Sequence, residues 1–281
     1  VYKNLLTVLC LVPLITIQAK AQSFIGDGFN SAIEAVQEGL DLIWPDNFNI
    51  DGIDARLGLG LGSTPDYVGS DNYRVRVVPL VDIRYKDILR LNGSTLTYKA
   101  LRVGDWAFGP LLNLRLGRPQ ERNRALQGLG DINTTFEVGA YARFKNKTTS
   151  LVVDYRHGTG AGIGSSLRAT VAQGIYKKGK FAALIGGRIK WLSEKTTQTD
   201  FGLTAEQAGN SALGLSEFDA DAGLAAASVN FVGAYSLSEE TRLLGITSYG
   251  RLFADAKSSP LVAVRGSSSQ FIVGVGIIHN F

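Results

Sequence analysis

Along most of this chain apolar and polar residues alternate, and in the last twelve a bulky face alternates with one that is mostly small or polar. One face of that stretch reads Phe271, Val273, Val275, Ile277, His279 and Phe281. The other reads Gln270, Ile272, Gly274, Gly276, Ile278 and Asn280. A period of two is that of a β-strand, whose successive side chains point to opposite faces. The same alternation predicts twelve strands, at 53–62, 73–85, 87–92, 94–102, 105–117, 132–145, 148–157, 164–177, 180–193, 221–237, 240–253 and 269–281; the number is ten if 87–92 and 94–102 do not form. In the second, Tyr73, Val75, Val77, Pro79, Val81, Ile83 and Tyr85 oppose Arg74, Arg76, Asp82 and Arg84. In the fifth, Trp106, Phe108, Leu112, Leu114 and Leu116 oppose Asn113 and Arg115. In the sixth, Ile132, Phe136, Val138, Ala140 and Phe144 oppose Glu137, Tyr141 and Arg143. In the ninth, Phe181, Ile185, Ile189 and Trp191 oppose Arg188 and Lys190.

Alternation alone does not say which face meets the core. In a soluble sandwich the charged face points to water; in a membrane barrel the apolar face meets lipid and the charges line the lumen. Three features select an antiparallel transmembrane β-barrel. Connections are short at 86–87, 103–105, 146–147, 177–180 and 238–239 and longer at 63–72, 118–131, 158–163, 194–220 and 254–268, with 92–94 the single short exception. Short turns on one side and long loops on the other is the outer-membrane arrangement. Aromatics gather at strand ends: Tyr85, Trp106, Phe144, Tyr176, Phe181, Tyr235 and Phe281 on the short-turn side, Tyr73, Tyr155, Trp191, Phe253 and Phe271 on the other. Rings of that kind sit where lipid headgroups begin. Finally, many strands run ten to fourteen residues. Crossing the hydrocarbon at a tilt takes ~9–11 residues, whereas globular strands average ~5–6. The bulky face of the last strand, Phe271 to Phe281, then reads as the closing strand and as the assembly signal for the barrel assembly machinery.

The amino-terminal pattern is different. Lys3, an apolar run over 5–17 broken by Pro13, and Ala19-Lys20-Ala21 read as a secretory signal peptide over 1–21. A periplasmic segment, 22–50, and the barrel, 51–281, follow. In that segment Phe29, Ile33, Val36, Leu40 and Ile43 or Trp44 recur at helical spacing, with Asn30-Ser31 to cap the start and Pro45 to stop it. We expect a short amphipathic helix packed on the periplasmic rim, with lying on the inner leaflet, plugging the lumen or docking a periplasmic partner as the alternatives.

Composition agrees with export. Loss of Lys3 and Lys20 takes Lys plus Arg from 29 to 27 against 25 Asp plus Glu, and the net charge from +4 to +2. That balance gives no support to a nucleic-acid partner. The single cysteine, Cys10, falls in the signal segment, so the mature chain carries no disulfide, thiolate nucleophile or Cys-ligated metal. No cofactor, metal or catalytic residue is expected. Hydrophobic residues make up 45% and glycines number 33, yet no later segment holds 18 uninterrupted apolar residues. High apolar content without long apolar runs is what alternate lipid-facing positions produce.

Local chemistry is sparse. Gly158, Gly160, Gly162 and Gly164 lack the Lys-Ser/Thr and the helix that a phosphate loop requires. Arg118, Arg122 and Arg124 with Glu121 form a basic outer loop that suits lipopolysaccharide phosphates, or plain solvation. His157, with Ser165 and Ser166 at the start of the next strand, has the residue types of a lipid-facing Ser–His hydrolase, but no acid on the same face would orient the imidazole. An interfacial histidine is the better reading. Lumen-lining candidates are Arg74, Arg76, Asp82, Arg84, Arg115, Glu137, Arg143, Asp154, Arg188 and Lys190. Either they line a mildly anion-selective pore or they pair across the lumen and close it.

The stretch Gly58-Leu-Gly-Leu-Gly62, then Pro65-Asp-Tyr67-Val-Gly69-Ser-Asp71, Tyr73-Arg74 and Pro79, resembles the amino-terminal signature of the MipA/OmpV family of MltA-interacting proteins. Residues 208–215, Ser258-Ser-Pro260-Leu-Val262 and the terminal Phe281 fit as well, so the resemblance spans about 51–281. It implies an outer-membrane barrel with no agreed catalytic residues. It also implies a non-enzymatic scaffold between a lytic transglycosylase and a penicillin-binding synthase of the murein-synthesising machinery. Two alternatives stay open: a narrow channel for small polar solutes or antibiotics, and a surface adhesin acting through 194–220. His279 departs from the Tyr common at that place in assembly signals.

Overall fold

The computed structural model describes residues 38–44, 52–160 and 164–281. The expected signal segment, the first part of the expected helix and the middle of the glycine-rich loop lie outside the described residues. Among these, thirteen strands form one antiparallel sheet: β1 (Ile53–Pro65), β2 (Tyr73–Tyr85), β3 (Leu89–Asn92), β4 (Thr95–Tyr98), β5 (Leu101–Val103), β6 (Trp106–Arg115), β7 (Thr135–Lys145), β8 (Thr149–Gly158), β9 (Ser165–Lys178), β10 (Phe181–Leu192), β11 (Gly223–Ser236), β12 (Thr241–Leu252) and β13 (Ser269–Asn280). β4 and β5 both pair with β6 and share one position in the ring, and β1 pairs with β13. The sheet therefore closes as a barrel of twelve, with the expected strand 94–102 split into two pieces. Closure pairs the strands around the ring, the condition for a sheet in lipid, except along the β3 side of β2 before Asp82.

The short turn at 92–94 caps a hairpin of only four residues per strand. β2 pairs with β3 only over Asp82–Tyr85, so the wall is low here. Gly93 donates its N–H to the Val81 carbonyl oxygen. Two residues back along that edge stands Pro79, which has no N–H to leave unpaired.

Exposure runs opposite to a soluble fold. Val75 is 72% exposed and Phe271 51%, whereas Arg56 and Asp82 are fully buried. In β13, Phe271, Val273, Val275, Ile277 and Phe281 face out, while Ile272, Ile278 and Asn280 are buried. The ring of His279 meets that of Phe281 edge-on at 4.6 Å.

Pairing register places opposite charges face to face within the wall: Arg56 across from Asp82, Asp54 from Arg84, and Asp154 from Arg168. Directly opposed unlike charges support a sheet, as like charges oppose it. The long loops are not open. α2 (Glu194–Phe201) and α3 (Ala205–Asn210) lie in the 194–220 connection. α4 (Ala254–Ser258) and α5 (Pro260–Ala263) lie before β13. α1, residues 38–43, precedes the barrel in sequence and lies inside it.

Candidate functional site

The lumen wall has two sectors. From β10 through β13 to β2 it is mainly apolar, with Leu184, Val232, Ala234, Leu244, Ile246, Ile272, Ile278, Val78 and Leu80 buried, interrupted by Arg188 of β10, Arg242 of β12 and Asp54 and Arg56 of β1. From β2 through β9 it is charged. α1 is amphipathic and fits both. Leu40, Ile43 and Trp44 join the apolar sector, and a Cβ added to Gly39 would lie 3.1 Å from that of Ala172. Glu38 and Asp41 turn the other way. Glu38 accepts hydrogen bonds from Arg143 at 2.6 Å, Arg90 at 3.1 Å and Asn92 at 3.2 Å. Asp41 accepts from Arg56 at 3.0 Å and from Arg84, with Lys145 Nζ at 3.5 Å. Asp82 takes Arg90 at 2.7 Å and Arg84 at 3.0 Å. Arg242 donates to the Ile43 carbonyl oxygen at 2.7 Å, where the helix ends and its dipole is negative. The Trp44 ring lies against both the Arg242 and Arg56 guanidinium groups, at 4.4 and 5.3 Å. The expectation of a helix on the periplasmic rim is thus corrected: residues 38–44 fill the inner end of the lumen, because acids and apolar side chains on opposite faces match the two sectors of the wall.

Above the helix a second network crosses the barrel. Asp154 receives Arg156 at 2.7 Å and Arg168 in a two-pronged pair at 3.0 and 3.2 Å. Asn113 donates to Glu137 at 2.8 Å, and Arg188 to Thr170 at 2.8 Å. The space left here, between Glu38 and Arg188, is about 20 Å³, room for a water molecule but not a solute.

At the outer end the loops fold inward over the mouth. Tyr67, Leu126, Leu129, Phe201, Leu203, Leu215, Leu261 and Val262 make an apolar cap on Leu192 and Leu252 of the wall. The motif Pro65 to Asp71 is its seam. Tyr67 is buried, and its hydroxyl donates to the Leu261 carbonyl oxygen at 3.1 Å. Burial first, and then the charge of Asp71, pushes its phenol up from the ordinary value near 10 to about 12. Gly69 has φ +96°, and a Cβ there would stand 2.4 Å from Val262 Cγ2, so only glycine fits. Asp66 pairs with Arg74 and takes Asn123 at 3.0 Å; Asp200 of α2 pairs with Arg115 and accepts from Arg118 at 2.8 Å through its backbone oxygen.

Every lumen candidate proposed from alternation lies on the inner face, but not in one site. Asp82, Arg84 and Arg143 meet at the inner end; Glu137, Asp154 and Arg188 at the middle; Arg74, Arg76, Arg115 and Lys190 at the outer mouth. Arg56, Arg90, Arg156 and Arg168 belong to the same networks and were missed, although each shares strand parity with an inward residue. Glu38 and Asp41 had no such signal. Arg118 is turned in toward α2 rather than out to lipopolysaccharide.

His157 Nδ1 lies 2.9 Å from Ser165 Oγ on the outer wall, and the Tyr155 hydroxyl lies 2.7 Å from the same oxygen. Ser166 points inward and is buried. The pairing recurs where no chemistry is in question, with Thr241 Oγ1 and His279 Nδ1 2.8 Å apart and Tyr249 and Ser269 3.2 Å apart. Cross-strand polar pairs at the headgroup level account for both. Among the described residues no cluster of His, Cys, Asp and Glu is arranged to hold a metal ion.

The chain is similar in fold to known outer-membrane barrels. The NanC porin aligns with a TM-score of 0.42 at 11% identity, over 82% of this chain and 100% of that one. The KdgM porin gives 0.40 at 10%, over 80% and 99%. OmpT of Vibrio cholerae gives 0.40 at 10%, over 82% and 97%. A search of curated proteins finds no match. The family model described as MltA-interacting protein MipA matches residues 57–281. On that match the chain belongs to the MipA family, outer-membrane β-barrels of Gram-negative bacteria.

Proposed function

We propose that this protein is a non-enzymatic scaffold of the outer membrane. It gathers enzymes of the murein-synthesising machinery, a lytic transglycosylase of the MltA type and a penicillin-binding synthase, at its periplasmic rim. One observation supports the reading: described residues occupy the lumen at three levels. α1 occupies the inner end, paired charges the middle and an apolar cap the outer mouth. A channel has to keep a continuous polar path, and the charges at mid-height here are paired with one another. Packing of this kind suits a rigid platform. The cap also draws the 194–220 loop onto the barrel through Phe201, Leu203 and Leu215, which leaves less of it for adhesion. The family description names MltA interaction, which agrees with this reading.

The test is affinity capture of the tagged full chain from solubilised membranes, with single-channel recording on the same preparation. The scaffold reading expects retention of the transglycosylase and the synthase and no steady conductance. Steady conductance of the native protein together with no retained murein enzyme would overturn it.

A further inference from the structure

The inner rim holds a cavity that the scaffold reading does not explain. It measures about 550 Å³, within the range of ligand sites (~300–1,000 Å³). Its boundaries are α1, the β2–β3, β5–β6 and β7–β8 turns, and the strands beside them. Seven basic residues line it (Arg84, Arg90, Lys99, Arg102, Arg143, Lys145 and Lys147) against three acids, Asp41, Asp87 and Asp105. Depth sorts the cations. Arg84, Arg90 and Arg143 at the floor belong to the Glu38, Asp41 and Asp82 network. Lys145 is in contact with Asp41 and Lys99 pairs with Asp87, so the excess lies nearer the mouth, where Lys147 stands exposed. Arg102, two-thirds exposed, is 3.9 Å from Asp87. The apolar part of the wall is Ile88, Leu89, Trp106 and Ala107.

We infer that this cavity receives an acidic peptide segment from the periplasm, with its carboxylates at Lys147 and Arg102 and its carbon skeleton against Ile88 and Trp106. Guanidinium and ammonium groups bind carboxylate and phosphate alike. Two further features favour the peptide. Asp87 and Asp105 at the mouth can accept hydrogen bonds from peptide amide N–H groups, which inorganic phosphate does not offer. The apolar wall offers nothing to inorganic phosphate. The charge excess extends around the rim, where Lys86, Lys177, Lys178 and Lys180 stand against Glu239 and Glu240, a field that steers an anionic partner toward the mouth. This inference deepens the scaffold reading by assigning it an entry point, and its test is independent of enzyme capture.

The experiment uses the full chain in lipid nanodiscs and measures fluorescence anisotropy with a labelled peptide of alternating Glu and Ala. The comparison ligands are its Gln counterpart and pyrophosphate as a competitor. Saturable binding of the Glu peptide, at least tenfold weaker binding of the Gln peptide, and a loss of at least tenfold in Lys147→Gln/Arg102→Gln are expected. Both positions are exposed and outside the α1 network, and retained heat-modifiable migration on gels confirms that the variant barrel is folded. Lys257→Gln, exposed in the outer loops, should bind as the native chain does. Equal affinity for the Glu and Gln peptides, no effect of the double variant, or binding of pyrophosphate in place of the peptide would each sink the proposal. A chain that binds the peptide but captures no murein enzyme would keep the site and lose the scaffold; the converse would keep the scaffold and lose the site.

Discussion

Neutralising Asp41 should release α1 from the barrel. Burial of Leu40, Ile43 and Trp44 contributes about 1.5–3 kcal/mol each, or about 5–9 kcal/mol together. Ordering the seven residues 38–44 costs about 1–2 kcal/mol apiece, or about 7–14 kcal/mol. The apolar face therefore falls a few kcal/mol short of holding the helix, and the ion pairs decide whether it docks. Asp41→Asn keeps the shape and removes the charge that faces Arg56, Arg84, Arg90 and Lys145. Breaking a buried pair costs about 3–5 kcal/mol. Because Arg56 retains Asp54 and Arg84 retains Asp82, we take the lower end, about 3 kcal/mol, which lowers the docked-to-undocked ratio about 100-fold at about 1.4 kcal/mol per decade. The assay is a disulfide between Gly39→Cys and Ala172→Cys. Their Cβ positions lie 3.1 Å apart, just under the ~3.5–4.5 Å such a bond spans, and Cys10 is the chain's own single cysteine. Oxidation should cross-link the pair rapidly with Asp41 present and much more slowly in Asp41→Asn, and planar bilayers should show new openings in that variant. An unchanged cross-linking rate would refute the reasoning.

Tyr67 should give the outer cap an alkaline limit. Its folded-state pKa lies above the unfolded value, so its contribution is whole below pH 10 and is lost as pH rises toward 12; protease nicking of the outer loops should increase across that window, and Tyr67→Phe should flatten the increase. Gly69→Ala meets both the φ of +96° and the side chain of Val262, so the cap should lose roughly 1–3 kcal/mol and the 254–268 loop should become protease-sensitive while the barrel remains folded. Phe281 donates its N–H to the Ala55 carbonyl oxygen at 2.9 Å and closes the ring edge-on with His279; Phe281→Ala should lower the fraction assembled in outer membranes, read by heat-modifiability, without changing synthesis.

The architecture was legible because a barrel wall repeats one instruction. Every second residue meets lipid, so Val75, Val77, Phe271 and Val275 mark the outer face and Arg76, Asp82, Arg115 and Asp154 the inner one, strand after strand. The alternating connection lengths then fixed which end was which, and the strand count followed apart from the split at 99–100. The filling of the lumen was not legible in that way. Parity tells which face a residue occupies but not its height or its partner across the barrel, so Glu38 and Arg143, 105 positions apart, met only in three dimensions.

The sequence by itself determined a closed wall with its charges turned inward, since that depends on local period and on the cost of leaving backbone or charge in hydrocarbon. Only the tertiary structure decided that, among the described residues, a helix, paired charges and an apolar cap occupy the inside of the cylinder. The amphipathic stripe of 38–44 suits a membrane surface, a rim or a partner equally well, and it becomes a plug because closure sets an apolar sector and an arginine sector on opposite sides of a space one helix wide.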